Sequence, residues 1–412
     1  MTMSIERPQE VAARIVGDRR LLILLLLVIP LSQIGLDVYA PALPQMAADF
    51  GASDAMVQNT VTAYTLGMSV AFIPVGLLAD ALGRRWVLLT GTALVALTSI
   101  GCALAGSLPF LLGMRFIQGV AAGTCLLMAA VIAADCFRGA KLVSVLGVLG
   151  AAWGTAPVVA PAIGGFVVQH GSWRLVFALF AFAVVVVTAL VAKGMPETLD
   201  KEKRSPVNLR AAMRVLGEAL RHKVFIGFVL MFGLIGAAQM VFGVAGPFLF
   251  EEALGFSPAA YGLIALVIGA ANLVGELACG GLAQRITTRK LALSAWTVMI
   301  LGALTLVVSA RTIGVNGWII TLGAALVLGG VGVLDPQSKG LAMGVFSKNI
   351  GLIGGLLNTC CYLIVSLAMA LIAHLPETTH EPLGWFYVSA GMAFVTILLL
   401  TLRSQANRAA SC

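Results

Sequence analysis

The sequence predicts an all-α membrane protein, with twelve transmembrane helices in two six-helix halves. Three observations lead there. The chain of 412 residues is 60% hydrophobic and 11% charged, where a soluble chain carries about a quarter charged residues. Its apolar residues fall in long runs, each near the roughly 20 residues that cross a bilayer as a helix. Its cations cluster in alternate loops. The runs lack the apolar–polar alternation of barrel strands, so helices, which satisfy their own backbone hydrogen bonds in lipid, are the expected spanning elements.

In chain order the spans are expected at roughly 21–48, 54–79, 86–107, 109–134, 142–169, 172–192, 224–250, 258–283, 291–310, 315–334, 341–373 and 383–402. The run from Leu21 is too long for the core of a cleavable signal and carries Asp37, so it is expected to remain as the first span. The connecting segments are short except 193–223, which holds Pro196, Pro206, four acids (Glu197, Asp200, Glu202, Glu218) and eight cations. This segment reads as a cytoplasmic linker with an amphipathic stretch around 207–221. It separates an amino-terminal half, 1–192, from a carboxyl-terminal half, 224–412. Two such halves around a midplane site are a common plan for secondary transporters.

The cations orient the chain. Apart from Arg115, Arg174, Arg311 and Lys348, every Lys and Arg lies in the amino end, the 80s loop, 138–141, 193–223, 285–290, the carboxyl end or at Lys339. These positions share one side if the span count is even. The positive-inside rule then makes both termini cytoplasmic. The net charge of +8 is accounted for by this placement, and no nucleic-acid partner is expected. The seven Cys show no C-x-x-C spacing and read as small apolar packing residues, so no metal and no cofactor is expected.

The segment Gly76-Leu-Leu-Ala-Asp80-Ala-Leu-Gly83-Arg84-Arg85 marks a tight turn between the second and third spans. Asp80 stands at a helix C-terminus, where the dipole disfavours an acid, so a cationic partner such as Arg84 is expected. A weak echo after the eighth span, Gly280-Gly-Leu-Ala-Gln284-Arg285 followed by Arg289-Lys290, suggests an internal repeat with Gln in place of the acid. The 76–85 pattern resembles the loop signature of the major facilitator superfamily. Gly35-Leu-Asp37-Val-Tyr-Ala-Pro41-Ala-Leu-Pro44 is similar to the drug/proton antiporters of the bicyclomycin- and chloramphenicol-resistance (Bcr/CflA) type. Arg115-Phe-Ile-Gln-Gly119 looks like the superfamily's intramembrane arginine motif. Ala156-Pro157-Val-Val-Ala160-Pro161-Ala-Ile-Gly164-Gly165 resembles the antiporter motif of drug exporters, with Ala160 where a glycine is usual. The resemblance implies the major facilitator fold, a place in a bacterial inner membrane, and exchange of drug-like molecules for protons. It also implies gating roles for Asp80, Gly83, Arg84, Arg85, Pro157, Pro161, Gly164 and Gly165. Asp135, at the inner end of the fourth span, is expected to pair with loop arginines.

A charge at mid-bilayer costs at least about 2.5–3.5 kcal/mol, so such residues usually face a cavity and carry function. Four stand out: Asp37, Arg115, Glu276 and Lys348. At 1.5 Å per residue, Asp37 lies ~16 Å from the outer end of its span and Arg115 ~9 Å from the outer end of its own. Glu276 and Lys348 lie at matched depth, ~10 Å from the inner side, and are expected either to pair or to meet substrate. Asp37 is the expected proton carrier, because all four His fall in loops or at span ends and a buried carboxyl can exchange a proton near neutral pH. Arg115 is expected to tune Asp37 or relay its proton. Tyr64, Gln239, Asn272 and Asn358 are candidate substrate contacts or interhelical hydrogen-bonding residues.

The reading is a proton-coupled exporter of small, partly apolar, cationic or neutral compounds including antibiotics, acting as a monomer in the lipid bilayer. The alternative is a proton-coupled transporter of one endogenous metabolite: a sugar, nucleoside or peptide. An enzyme is disfavoured, because the sequence has no G-x-S-x-G, no H-E-x-x-H and no Walker motif.

Overall fold

The computed structural model describes residues 18–204, 209–283, 285–346, 350–375 and 378–410. Proline decides the shape of the first span, Arg19–Phe50. It runs as Asp18–Val28, breaks at Pro30, and resumes as Leu31–Asp37. A short 3₁₀ turn, Ala40–Ala42, follows, then the helix Leu43–Phe50. Pro30, Pro41 and Pro44 each remove a backbone donor, so the ladder cannot run through. Asp37 therefore ends a short helix in the middle of a span.

Eleven more helices among the described residues are long and apolar enough to cross a membrane. Spans 2 to 6 are Asp54–Leu82, Arg84–Ala103, Leu108–Cys136, Ser144–His170 and Trp173–Gly194; spans 7 to 12 are Lys223–Ala253, Pro258–Leu282, Thr288–Thr312, Gly317–Met343, Ile350–Ile372 and Glu381–Thr401. Span 7 passes Pro247 into a π-helical turn, Phe248–Ala253. The expected boundaries hold except between spans 10 and 11. Span 10 continues nine residues past the expected end at 334, through Asp335, Pro336 and Lys339, and span 11 starts at Ile350 rather than 341. Five consecutive polar or helix-breaking residues, Asp335 to Lys339, end the apolar run, but the helix persists, so Asp335 and Lys339 belong to a span and not to a loop. Between spans 6 and 7 lies the linker helix Leu209–Arg221, in the stretch expected to be amphipathic.

Small residues set how closely spans approach. An added Cβ at Gly119 of span 4 would lie 2.0 Å from the carbonyl oxygen of Tyr64 in span 2, so only glycine lets these two backbones touch. Spans 5 and 8 pack against each other, as do spans 2 and 11. A Cβ at Gly165 of span 5 would lie 2.2 Å from the carbonyl oxygen of Pro258, where span 8 begins. At this end of the bundle, opposite the basic loops, the turn Ala40–Ala42 packs on spans 7 and 8, and Leu43–Phe50 on the π-helical end of span 7. At the basic end, a Cβ on Gly147 or Gly150 of span 5, or on Gly280 or Gly281 of span 8, would meet nothing within 4 Å. Spans 5 and 8 are thus pressed together at the opposite face and parted at the basic face.

Candidate functional site

Between spans 1, 5, 7 and 8 lies a cavity of about 60 Å³, room for a few waters and too small for a drug-sized molecule. Asp37 and Gln33 line it from span 1, Pro157 and Pro161 from span 5, Gln239 from span 7, and Tyr261 and Asn272 from span 8. Asp37 is there because its short helix ends at that residue. Gln33, one turn earlier, donates from Nε2 to Asp37 Oδ2 at 2.8 Å. Among the described residues no cation forms an ion pair with Asp37. Gln33 and Tyr261 were not singled out from the sequence. The i,i+4 spacing of Gln33 and Asp37 was the available signal for the first.

Arg115 is fully buried, and the structure does not bring it into an ion pair with Asp37. Its Nη1 donates to the carbonyl oxygen of Gly35 at 2.9 Å and to Gln118 Oε1 at 2.5 Å. Its guanidinium lies over the rings of Tyr39 and Tyr64, 4.1 and 4.3 Å from their centroids. Aromatic faces offset part of the cost of burying a cation, while Nε and Nη2 have no hydrogen-bond partner. Gln118 continues the chain by donating to Ser99 Oγ at 2.7 Å. The link between Arg115 and Asp37 is thus the span 1 backbone, with Gly35 one turn-half before the acid. Tyr64 is packed under this cluster rather than on the cavity; its hydroxyl donates to the carbonyl oxygen of Ser32 at 2.6 Å.

In the second half, Asn272 Nδ2 donates to Glu276 Oε1 at 2.8 Å. Glu276 also reaches across to the first half, where a Cβ on Gly154 of span 5 would lie 2.8 Å from its Oε2. Lys348, its expected partner, lies outside the described residues, as does Gln284. The charges that bear on Glu276 are Asp335 and Lys339 of span 10, which the shortened reading of that span had hidden. Asp335 and Lys339 are themselves one helical turn apart, a spacing that marks a shared face even where the apolar run fails. Asn358 donates to the carbonyl oxygen of Gly354 in its own helix at 3.0 Å and is not on the lining of the Asp37 cavity.

The loop motif forms a cluster at the basic face. Arg84 Nη1 bonds Asp80 Oδ1 at 2.6 Å, and its Nε bonds Asp135 Oδ2 of span 4 at 3.1 Å. Thr198 Oγ1 also donates to Asp135, at 3.2 Å. Glu197 Oε1 accepts from the backbone N–H of Arg84, Thr198 and Leu199, and Arg85 Nη2 donates to the carbonyl oxygen of Ala192. Gly83 has φ +103°, and a Cβ there would lie 2.3 Å from Glu197 Oε2, so the turn requires glycine. The cluster ties spans 2, 3 and 4 to the chain leaving span 6. We expect Asp80→Asn to slow transport about two- to tenfold with substrate affinity largely unchanged, because Asp80 is half exposed and water screens its pair with Arg84. Transport rate and equilibrium binding, measured on the same folded preparation, check this. Loss of binding would show that Asp80 does not act through gating.

A twelve-span bundle whose halves meet at a buried cavity with a carboxyl on its wall is the architecture of a secondary transporter. The chain belongs to the Major Facilitator Superfamily, whose family model matches residues 25–369. It is similar to the uncharacterized MFS-type transporter YdgK of Bacillus subtilis, with 28% identity over 90% of this chain and 91% of that one. It is also similar to the multidrug resistance protein MdtL of Escherichia coli O157:H7, with 26% identity over 84% of this chain and 94% of that one. Among solved structures, a D-xylose-proton symporter superposes with a TM-score of 0.76 at 15% identity, over 92% of this chain and 95% of the other; that likeness is one of fold. The protein is therefore a multi-pass membrane transporter for small molecules and not an enzyme.

Proposed function

We propose that the protein is a proton-coupled multidrug exporter of the Bcr/CflA type, exchanging external protons for partly apolar cationic or neutral compounds across a bacterial inner membrane. The observation that carries this is Asp37. It is a carboxyl on the wall of a cavity shared by both halves, bonded to a neutral amide and without an ion pair among the described residues. Such a group can hold a proton or face a cation, and the two exclude each other. The mostly apolar lining, with Gln239, Asn272 and Tyr261 as dispersed polar contacts, suits loosely matched ligands better than the dense hydrogen bonding that a sugar needs. The similarity to a multidrug resistance protein supports the same reading.

In this account residues 1–192 and 224–412 rock as two bodies joined by 193–223, and one copy suffices. The basic face is cytoplasmic, with both termini there. Spans 5 and 8 form the outer gate through Pro157, Pro161, Gly164 and Gly165, and the Asp80–Arg84–Asp135 cluster governs the inner one. Glu276 and Asn272 contact substrate from the second half. A carboxyl-terminal reporter that is active only outside the cytoplasm is expected to stay silent; strong signal from it would overturn the orientation. The function itself is tested by expressing the chain in an exporter-deficient bacterium against a panel of toxic compounds. Raised tolerance to several unrelated compounds supports multidrug export. No change across the panel, with the protein present in the membrane, contradicts it and favours a single endogenous substrate.

A further inference from the structure

The linker helix Leu209–Arg221 has one broad apolar face, and the fold covers only part of it. Ala212, Leu216 and Ala219 are buried against the basic-end turns of spans 7 and 11, the elements on which the helix packs. Leu209, Met213 and Leu220 continue this face beyond Leu216, within about 40° of one another at 100° per residue, and they are 60%, 60% and 47% exposed. Arg210, Arg214 and Arg221 follow immediately on the next face, at about 100–140°, and all three are exposed. Among the described residues none of them ion-pairs with a carboxylate. Glu218, the acid of this helix, stands beyond them at about 180°. A single residue, His222, separates the helix from span 7, which begins at Lys223, so its end is held at the membrane surface on the side of the basic loops.

An apolar stripe bordered by arginines, on a helix held at the bilayer surface, matches the acyl–headgroup boundary: the apolar side chains enter the lipid and the guanidinium groups stay at phosphate level. We propose that this helix is a docking surface for the acidic phospholipid headgroups of the leaflet at the basic face. Charge complementarity selects that occupant, because three exposed arginines, without an ion pair among the described residues, next to exposed Leu and Met attract an anionic surface and gain nothing from a zwitterionic one. The site has a place in the transport cycle. Ala211, Ala212 and Val215 of the same helix border a cleft of about 630 Å³ that Asp80, Arg84 and Asp135 line from the other side. Lipid held on the linker therefore anchors the chain segment between the halves beside the cluster that governs the basic face.

The test is amide hydrogen exchange across 209–221 in the full-length protein, reconstituted in nanodiscs of phosphatidylcholine alone or with about 30% phosphatidylglycerol. We expect phosphatidylglycerol to slow exchange in this helix by roughly tenfold or more, with the spans unchanged. The Arg210→Gln/Arg214→Gln/Arg221→Gln variant should lose that response, and the corresponding triple Lys variant should keep it. In the native protein, raising salt from about 0.05 to about 0.5 M should weaken it. Equal exchange in both lipids overturns the proposal. So does a response that survives the Gln substitutions, or one that free glycerol phosphate reproduces in phosphatidylcholine discs. If the Gln variant loses protection throughout the chain it is misfolded, and the salt arm then decides: a response indifferent to salt overturns the proposal.

Discussion

Asp37→Asn is expected to reduce transport driven by a pH gradient to the level of empty vesicles while leaving the protein folded in the membrane. The amide is nearly isosteric with the carboxyl, and its oxygen can still accept the bond that Gln33 donates at 2.8 Å, so the short helix Leu31–Asp37 keeps its end. What is lost is the proton. A side chain that is permanently neutral at the cavity wall cannot release one when substrate arrives, and a cationic substrate loses its counter-charge there. Proton release on adding a transported compound to purified protein should disappear together with transport. Release undiminished in Asp37→Asn would move the proton to another carboxyl, with Glu276 and Asp335 the two to examine first. Arg115 has a different expected role. Held by Gly35, Gln118 and two aromatic rings, it fixes the backbone just before Asp37 rather than neutralising it.

Gly165→Ala is expected to open the face opposite the basic loops. A Cβ there lies 2.2 Å from the carbonyl oxygen of Pro258, and a backbone atom cannot step aside as a flexible side chain would. The contact crosses between the halves, so the overlap is relieved by parting spans 5 and 8 rather than by unfolding either one. Overpacking of this kind costs about 1–3 kcal/mol, enough to shift a two-state balance roughly 5- to 160-fold. A cysteine placed by Gly243→Cys reports it, because Gly243 lines the Asp37 cavity and a Cβ there meets nothing. Labelling of that cysteine by a membrane-impermeant reagent from the opposite face should accelerate, and transport should slow because the closed state is penalised. Unchanged labelling with normal transport would remove spans 5 and 8 from the gate. Gly164→Ala is different. Its Cβ would lie 1.7 Å from the carbonyl oxygen of Val38 in the same half, so that substitution should reduce folded yield instead.

The fold was legible because membrane helices are written in composition. Roughly twenty apolar residues, a break and a basic loop repeat along the chain, and no packing knowledge is needed to count them. The loop cluster was legible in part, since Asp80 at a helix end calls for a cation nearby and Arg84 is four residues away. Its ties to Asp135 and Glu197 depend on how span 4 and the chain after span 6 return to the same corner. Span 10 beyond residue 334 was not legible, because hydropathy falls at Asp335-Pro336 while the helix continues to Met343, and with it went Asp335 and Lys339, whose charges bear on Glu276. Depth estimates also could not tell that Tyr64 faces Ser32 and Arg115 rather than the cavity, because the rotation of a helix about its axis is set by neighbours. Prolines were informative as breaks, but that the break would deliver Asp37 to the cavity wall emerged only from the folded chain.

Flux of a permanently charged quaternary compound into proteoliposomes with an imposed pH gradient measures exchange of substrate for protons through Asp37. A quaternary ion is not trapped by protonation, so passive accumulation of a weak base does not intrude. With the lumen acidic, the compound is expected to accumulate against its gradient in vesicles bearing the native protein, collapsing the gradient should abolish this, and Asp37→Asn vesicles should match protein-free ones. Accumulation only when the lumen is alkaline, or accumulation indifferent to the gradient, would contradict it.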